Sequence, residues 1–194
     1  MMSISNDDGG ESLADRILDA AASCVLAFGI ERVTLAEIAR RAGVSRPTVY
    51  RRWPDTQSIL AALLTARVTR VLVDVGERGV GRTDLVARMV AVAQRLRQDE
   101  IVMSVLHTAP ELAMVYIAER LGTSQQILID ALAGQLKLAQ EHGSVRAGDP
   151  RQLAAMCLLI TQSAVQSAQM VAPILDAEAL AVELQHALNG YLKP

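Results

Sequence analysis

Apolar positions recur every three or four residues from Leu13 almost to the C-terminus, and no long stretch alternates apolar with polar as a half-buried strand does. The first stripe, Ile17, Ala21, Cys24, Val25 and Phe28, predicts a helix from about Leu13 to Phe28, opened by Ser12 and Asp15 at capping-box spacing. A second, short stripe of Leu35, Ile38, Ala39 and Ala42 follows Thr34, which with Glu37 has the same box spacing. Gly43 closes it, because a residue without Cβ suits the left-handed conformation that ends a helix. Val44 is the apolar plug before a third helix, which Ser45 caps and which carries Pro47 in its first turn, where a missing N–H costs little. Val49 and Trp53 face inward. The three helices are expected to pack as a small bundle spanning residues 12–55 behind a loose polar arm, 1–11.

The periodicity continues over a long helix from Thr56 to about Val75, with Ile59, Leu60, Leu63, Leu64, Val68, Val71 and Leu72 inward, ending in the glycine-rich run 76–81. Further helices are expected at about Asp84 to Arg97, Ile101 to His107, Pro110 to Leu121 (behind Thr108 and Glu111 as a capping box) and Ser124 to His142. Another runs from Pro150 to Val171 behind Asp149. The last, about Ala177 to Leu192, has Leu180, Leu184, Ala187, Leu188 and Tyr191 on one face. The chain therefore reads as all-α: an N-terminal three-helix unit and a larger helical unit over 56–194.

The outer face of the third helix carries the most distinctive chemistry. Arg46 offers a planar donor fork to guanine, and Thr48 a methyl to thymine together with a hydroxyl. Tyr50, Arg51 and Arg52 suit phosphate oxygens, which fix register without carrying sequence information. Thr34, Ser45 and Pro47 stand at the helix N-termini, which themselves attract phosphate. Between Arg32 and Arg52 six arginines accompany one carboxylate, Glu37, so the patch is basic although the chain has a net charge of -2. Affinity for a polyanion must come from this patch rather than from a global field. Taken alone, Arg40 and Arg41 read as solvated charges; within this motif they read as further phosphate ligands.

The pattern Thr34-x-x-x-Ile38-Ala39-x-x-Ala42-Gly43-Val44-Ser45, then Pro47-Thr48-x-Tyr50-x-x-Trp53, with Phe28-Gly29 upstream, resembles the helix-turn-helix of the tetracycline-repressor (TetR) family. The resemblance covers about the first third of the chain; the rest matches in length and helical character. Two departures stand out: Thr56 lies where such proteins usually carry a phosphate-binding lysine, and Trp53 replaces the more usual phenylalanine. The resemblance implies a dimer reading a palindromic operator in double-stranded DNA, with a C-terminal domain that holds a small-molecule effector.

Composition changes this picture little. Hydrophobic residues make up 51% and aromatics 3% of the 194 residues, as suits a helix-rich globular protein. The polar, acidic N-terminus is no signal peptide, and no run approaches the ~20 apolar residues of a membrane span, so a cytoplasmic protein is expected. Cys24 and Cys157 read as reduced core thiols. His107, His142 and His186 lack metal-ligand spacing, and neither a phosphate loop nor a nucleophile elbow occurs, so no metal, no cofactor and no catalysis are expected.

The helix over 150–171 has no charge after Arg151 and carries small residues such as Ala154, Ala155, Ala164 and Ala168. It suits either an intrachain core or, with the last helix (177–192), a two-fold interface; the resemblance favours the interface. Met89, Met103, Met114, Met156 and Met170 suit either core or a deformable apolar cavity, with His107, Tyr116 and Gln162 as polar candidates inside it; the resemblance again favours the cavity. The expected function is a ligand-released, dimeric transcriptional repressor. The alternative is a ligand-independent architectural DNA-binding dimer.

Overall fold

The computed structural model describes residues 12–77, 79–108 and 121–194. Among these every regular element is helical: α1 (Leu13–Phe28), a 3-10 turn (Ile30–Arg32), α2 (Leu35–Ala42), α3 (Arg46–Arg52), α4 (Thr56–Val75), α5 (Arg82–Gln98), α6 (Glu100–Thr108), α7 (Thr123–Glu141), α8 (Pro150–Gln166), α9 (Ala168–Val171) and α10 (Ala177–Leu192). The chain forms two compact units, one reaching to Leu63 and one from Leu64 onward. The expected arm 1–11 and the expected helix from Pro110, with its capping box, lie outside the described residues.

In the first unit α1 packs on α2, and α2 on α3. Ile17, Ala21, Cys24, Ile38, Ala39 and Val49 are almost wholly buried there. Ser12 and Asp15 form the expected capping box at the start of α1. Phe28 does not join the stripe: it is 43% exposed. The guanidinium of Arg41 lies over its ring, 5.1 Å from the centroid, so the aromatic keeps its cation–π partner at the surface instead of an apolar neighbour in the core.

The second unit is built on α5, α7, α8 and α10, which pack against one another around Val86, Leu136, Ala139, Ala154, Cys157, Leu188 and Leu192. Asp149 and Asp176 cap α8 and α10, each carboxylate accepting two backbone N–H bonds. Arg146 ties the loop before α8 to the end of α10. Its Nε donates to the Tyr191 carbonyl at 2.8 Å, its guanidinium lies 4.5 Å from the Tyr191 ring centroid, and its backbone N–H donates to the Leu192 carbonyl. A cation there also complements the negative end of the α10 dipole.

Two expectations about this unit need correction. The helix from Pro150 does not run unbroken to Val171. It stops at Gln166, and Ser167, at φ -90 and ψ 2, separates it from the single turn of α9. Serine competes for backbone hydrogen bonds and tolerates such a break at little cost. In α10 the buried face is Leu180, Leu184, Leu188 and Leu192. Ala187 is exposed and Tyr191 half-buried, because strict spacing of four from Leu180 places Leu192 inward and turns Ala187 away.

Candidate functional site

The N-terminal unit presents α3 as a capped, short and cationic helix. Gly43, at φ 66 and ψ 33, closes α2 in the left-handed conformation, and its N–H bonds back to the α2 carbonyls. Ser45 then accepts the Thr48 N–H at 3.3 Å. Val49, fully buried, anchors α3 from beneath. The opposite side is left to Ser45, Arg46, Pro47, Tyr50, Arg51 and Arg52, all exposed, with Thr48 half-buried beside them. Among the described residues Arg46, Arg51 and Arg52 make no ion pair and no hydrogen bond through their side chains. Three adjacent cations are thus free to meet an anionic partner.

Thr48 is more constrained than its neighbours. Its hydroxyl lies 2.7 Å from Ser45 Oγ, within the cap, so the group left to face outward is chiefly the methyl. Thr34 is exposed and caps α2 by accepting the Glu37 N–H at 3.2 Å. The reciprocal half of the expected box is absent. The Glu37 carboxylate turns instead to Arg40, which donates from Nε at 2.8 Å and from Nη2 at 2.6 Å. That hydrogen bond holds the Glu37 carboxyl below its ordinary value; burial opposes it, and the charges of Arg40 and Arg41 add to the lowering. Thr34, Arg40, Val44 and Arg46 line one shallow hollow on this side of the unit.

Arg41 departs from expectation. Its Nη1 donates to the Ser23 carbonyl at 2.8 Å, and its guanidinium covers Phe28, so it staples α2 to α1 rather than reaching outward. At Thr56, where α4 begins, the hydroxyl is neighboured by Asp55, whose carboxylate accepts the Ser58 N–H at 2.7 Å. A neutral group beside a carboxylate is a poor seat for phosphate.

The second unit holds a partly open, mostly apolar cavity of about 190 Å³. Of the residues expected there, Met89 and Gln162 line it. Met103 is half-buried elsewhere, and Met156 is 42% exposed, directed away from the cavity by its place on the outer side of α8. The His107 side chain, Met114 and Tyr116 lie outside what the structure describes. The walls that sequence reasoning missed come from α5 and α7: Arg88, Gln125, Leu128 and Leu132. Gln125 is buried and donates from Nε2 to Gln162 Oε1 at 2.7 Å, so two uncharged amides pair at the wall. Their signal in the sequence was an amide on the inward side of each of two apolar helices. Cys157 also lines the cavity, and burial pushes its thiol up to about 12 despite the nearby charge of Arg146. It is a thiol, not a thiolate, at neutral pH, so it behaves as a small core group rather than a nucleophile.

Among the described residues no cluster of three or more His, Cys, Asp or Glu could hold a metal ion, and no helix is long and apolar enough to cross a membrane.

Residues 17–63 match the family model described as bacterial regulatory proteins, tetR family. An uncharacterized HTH-type transcriptional regulator of Mycobacterium tuberculosis is 62% identical over 192 residues, covering 99% of this chain and 100% of its own length. The chain also superposes on solved structures at low identity. The Rhodococcus erythropolis repressor QsdR, from the TetR family, has a TM-score of 0.69 at 19% identity, with 94% of this chain and 96% of that one covered. The complex of SmeT with triclosan has a TM-score of 0.60 at 21% identity, with 94% and 92% covered; SmeT is the repressor of the Stenotrophomonas maltophilia multidrug efflux pump SmeDEF.

Proposed function

The chain belongs to the tetR family of bacterial regulatory proteins and is a DNA-binding transcriptional regulator, and we propose that it acts as a dimeric repressor that leaves a palindromic operator when an apolar or amphipathic small molecule binds. The observation that carries this reading is the free outer face of α3: Arg46, Arg51 and Arg52 held on a rigidly capped helix with no internal partner. Arg46 and the Thr48 methyl read base edges in the major groove. Tyr50, Arg51 and Arg52 hold phosphates, together with Ser45, Pro47 and Thr34 at the helix starts. Residues 12–55 form the DNA-binding domain and 56–194 the domain for ligand binding and dimerisation.

One such helix contacts too few bases for specificity. Two, related by a two-fold axis, read half-sites about one helical turn apart, ~34–36 Å. The dimer forms through α8 and α10, whose outward sides carry Met156, Leu159 and Val182, all at least 42% exposed. The effector occupies the cavity bordered by Leu64, Val68 and Leu72 of α4, the helix that continues into the DNA-binding residues. It shifts the protein off DNA only by binding the released state more tightly. The triclosan complex of SmeT supports a small-molecule effector for this chain as well.

The test is selection of random duplexes by the purified protein at near-physiological salt, with sequencing of what is retained. An enriched palindrome with half-sites one turn apart is the expected result. Featureless enrichment would sink the operator-specific reading.

A further inference from the structure

The cavity of the second unit holds a guanidinium in its wall. Among the described lining residues Arg88 is the only ionised side chain, set on α5 among Leu85, Met89 and Val92 and facing Leu128 and Leu132 of α7. Among the described residues no carboxylate lies within ion-pair distance of it. Its Nε–H is buried and, among the described residues, makes no hydrogen bond. Its remaining tether is a long bond of 3.5 Å from Nη2 to the Leu72 carbonyl, in the last turn of α4. A guanidinium in an apolar wall with an unused donor carries a desolvation cost that a bound anion would relieve.

Resting on the ligand-released reading above, we propose that the effector is a slim amphiphile ending in a single carboxylate, with its head on Arg88 and its chain along the leucines of α7 and α8. The planar fork of arginine matches a carboxylate through two parallel N–H bonds. One cation balances one negative charge. A phosphate monoester, at about -1.5 to -2 near neutral pH, would leave charge uncompensated among apolar walls. At about 190 Å³ the cavity is also below the ~300–1,000 Å³ usual for drug-sized ligands, which favours a single chain over a polycycle. Taking the carboxylate draws the guanidinium off the Leu72 carbonyl. Ligand binding through the unused Nε–H and a neighbouring Nη–H is therefore coupled to the hold of α5 on α4.

The test is titration calorimetry of the full-length protein with four ligands of one chain length: decanoate, 1-decanol, decyl phosphate and decyltrimethylammonium. Wild type is expected to bind decanoate at least tenfold more tightly than decanol or decyl phosphate, and not to bind the cation. Arg88→Gln is expected to bring decanoate down to the level of decanol. Arg88→Lys, which keeps the charge, should retain a preference for decanoate and guards against a glutamine variant that fails to fold. Decanol binding as tightly as decanoate to wild type, absence of decanoate binding, or a decanoate preference that survives Arg88→Gln would each overturn the proposal. Release of the selected duplex is followed with the same ligands. If decanol binds and releases DNA as well as decanoate does, the carboxylate assignment fails and the switch stands. If decanoate binds with the expected preference but releases nothing, the Arg88 site stands and the switch fails.

Discussion

Arg46, Arg52 and Arg41 look alike in the sequence, yet they answer to different physics. Arg41 spends its guanidinium on the Ser23 carbonyl and the Phe28 ring, so Arg41→Ala should lower the thermal stability of the first unit while leaving the salt dependence of DNA binding unchanged. Among the described residues Arg52 has no side-chain partner. Arg52→Ala should weaken all duplex sequences alike and reduce the slope of log K against log salt by about 1, the effect of one phosphate contact. Arg46→Ala should instead relax preference at one base pair, at a cost of ~1–3 kcal/mol, as selection on variant duplexes would read. A uniform loss for Arg46→Ala would place it on phosphate. Thr48 allows a finer separation because its hydroxyl belongs to the Ser45 cap: Thr48→Ser keeps the cap and removes the methyl, so helix stability should hold while discrimination at a thymine falls. Glu37 adds a pH dependence. Its carboxyl is depressed chiefly by the Arg40 hydrogen bond from a starting value of 4.5. Its contribution is therefore complete above that value and lost as pH falls through the lower, folded one. Glu37→Gln should flatten the acid limb of the first unit's unfolding profile.

Helix starts and stops were the features most legible in the sequence, because capping is decided within three or four residues. Ser12, Thr34, Ser45 and Asp149 all cap the helices that follow them. Gly43 adopts the left-handed turn that its place after Ala42 implied. No atom lies within 4 Å of a Cβ built on Gly43, so the penalty of Gly43→Ala is backbone strain alone. Chemical denaturation should read it as ~1–2 kcal/mol; no loss would mean that the turn between α2 and α3 is not held as described. What local pattern could not decide was competition between partners. Glu37 had both Thr34 and Arg40 within reach and took the cation. Phe28 had the periodicity of a core residue and the company of Arg41. The cavity was the least legible feature, since its walls come from several helices far apart in sequence. Methionine content pointed to Met89, which lines it, and equally to Met103 and Met156, which do not, whereas Arg88 and Gln125 stand there because of how α5 and α7 pack. A lone arginine on an apolar helix face was the signal available, and in one sequence it is indistinguishable from a side chain that reaches past the core to water.

In the proposed dimer, reading DNA depends on the assembly as much as on the recognition helix, and the proposed two-fold interface is the outward side of α8 and α10. Met156, Leu159 and Ser163 follow one another at helical spacing on α8; Leu159 is 57% exposed, and Val182 on α10 is 48% exposed. These two helices pack together inside the unit, so their apolar residues have a rigid base and lose little freedom on burial. A two-fold interface buries each such residue twice, once per protomer, which makes a single substitution unusually informative. Leu159→Glu puts a carboxylate at an exposed position, so the isolated protomer should fold with unchanged helix content, while in a dimer two added charges would be desolvated near the axis. Sedimentation should then show the variant as monomer at concentrations where the parent is dimeric. Affinity for a full palindrome should fall tenfold or more, while affinity for an isolated half-site stays the same, because the loss lies in linking two weak contacts rather than in either contact. If Leu159→Glu remained dimeric with full palindrome affinity, the interface would have to lie elsewhere on the second unit, and the uncharged side of α8 would need another explanation.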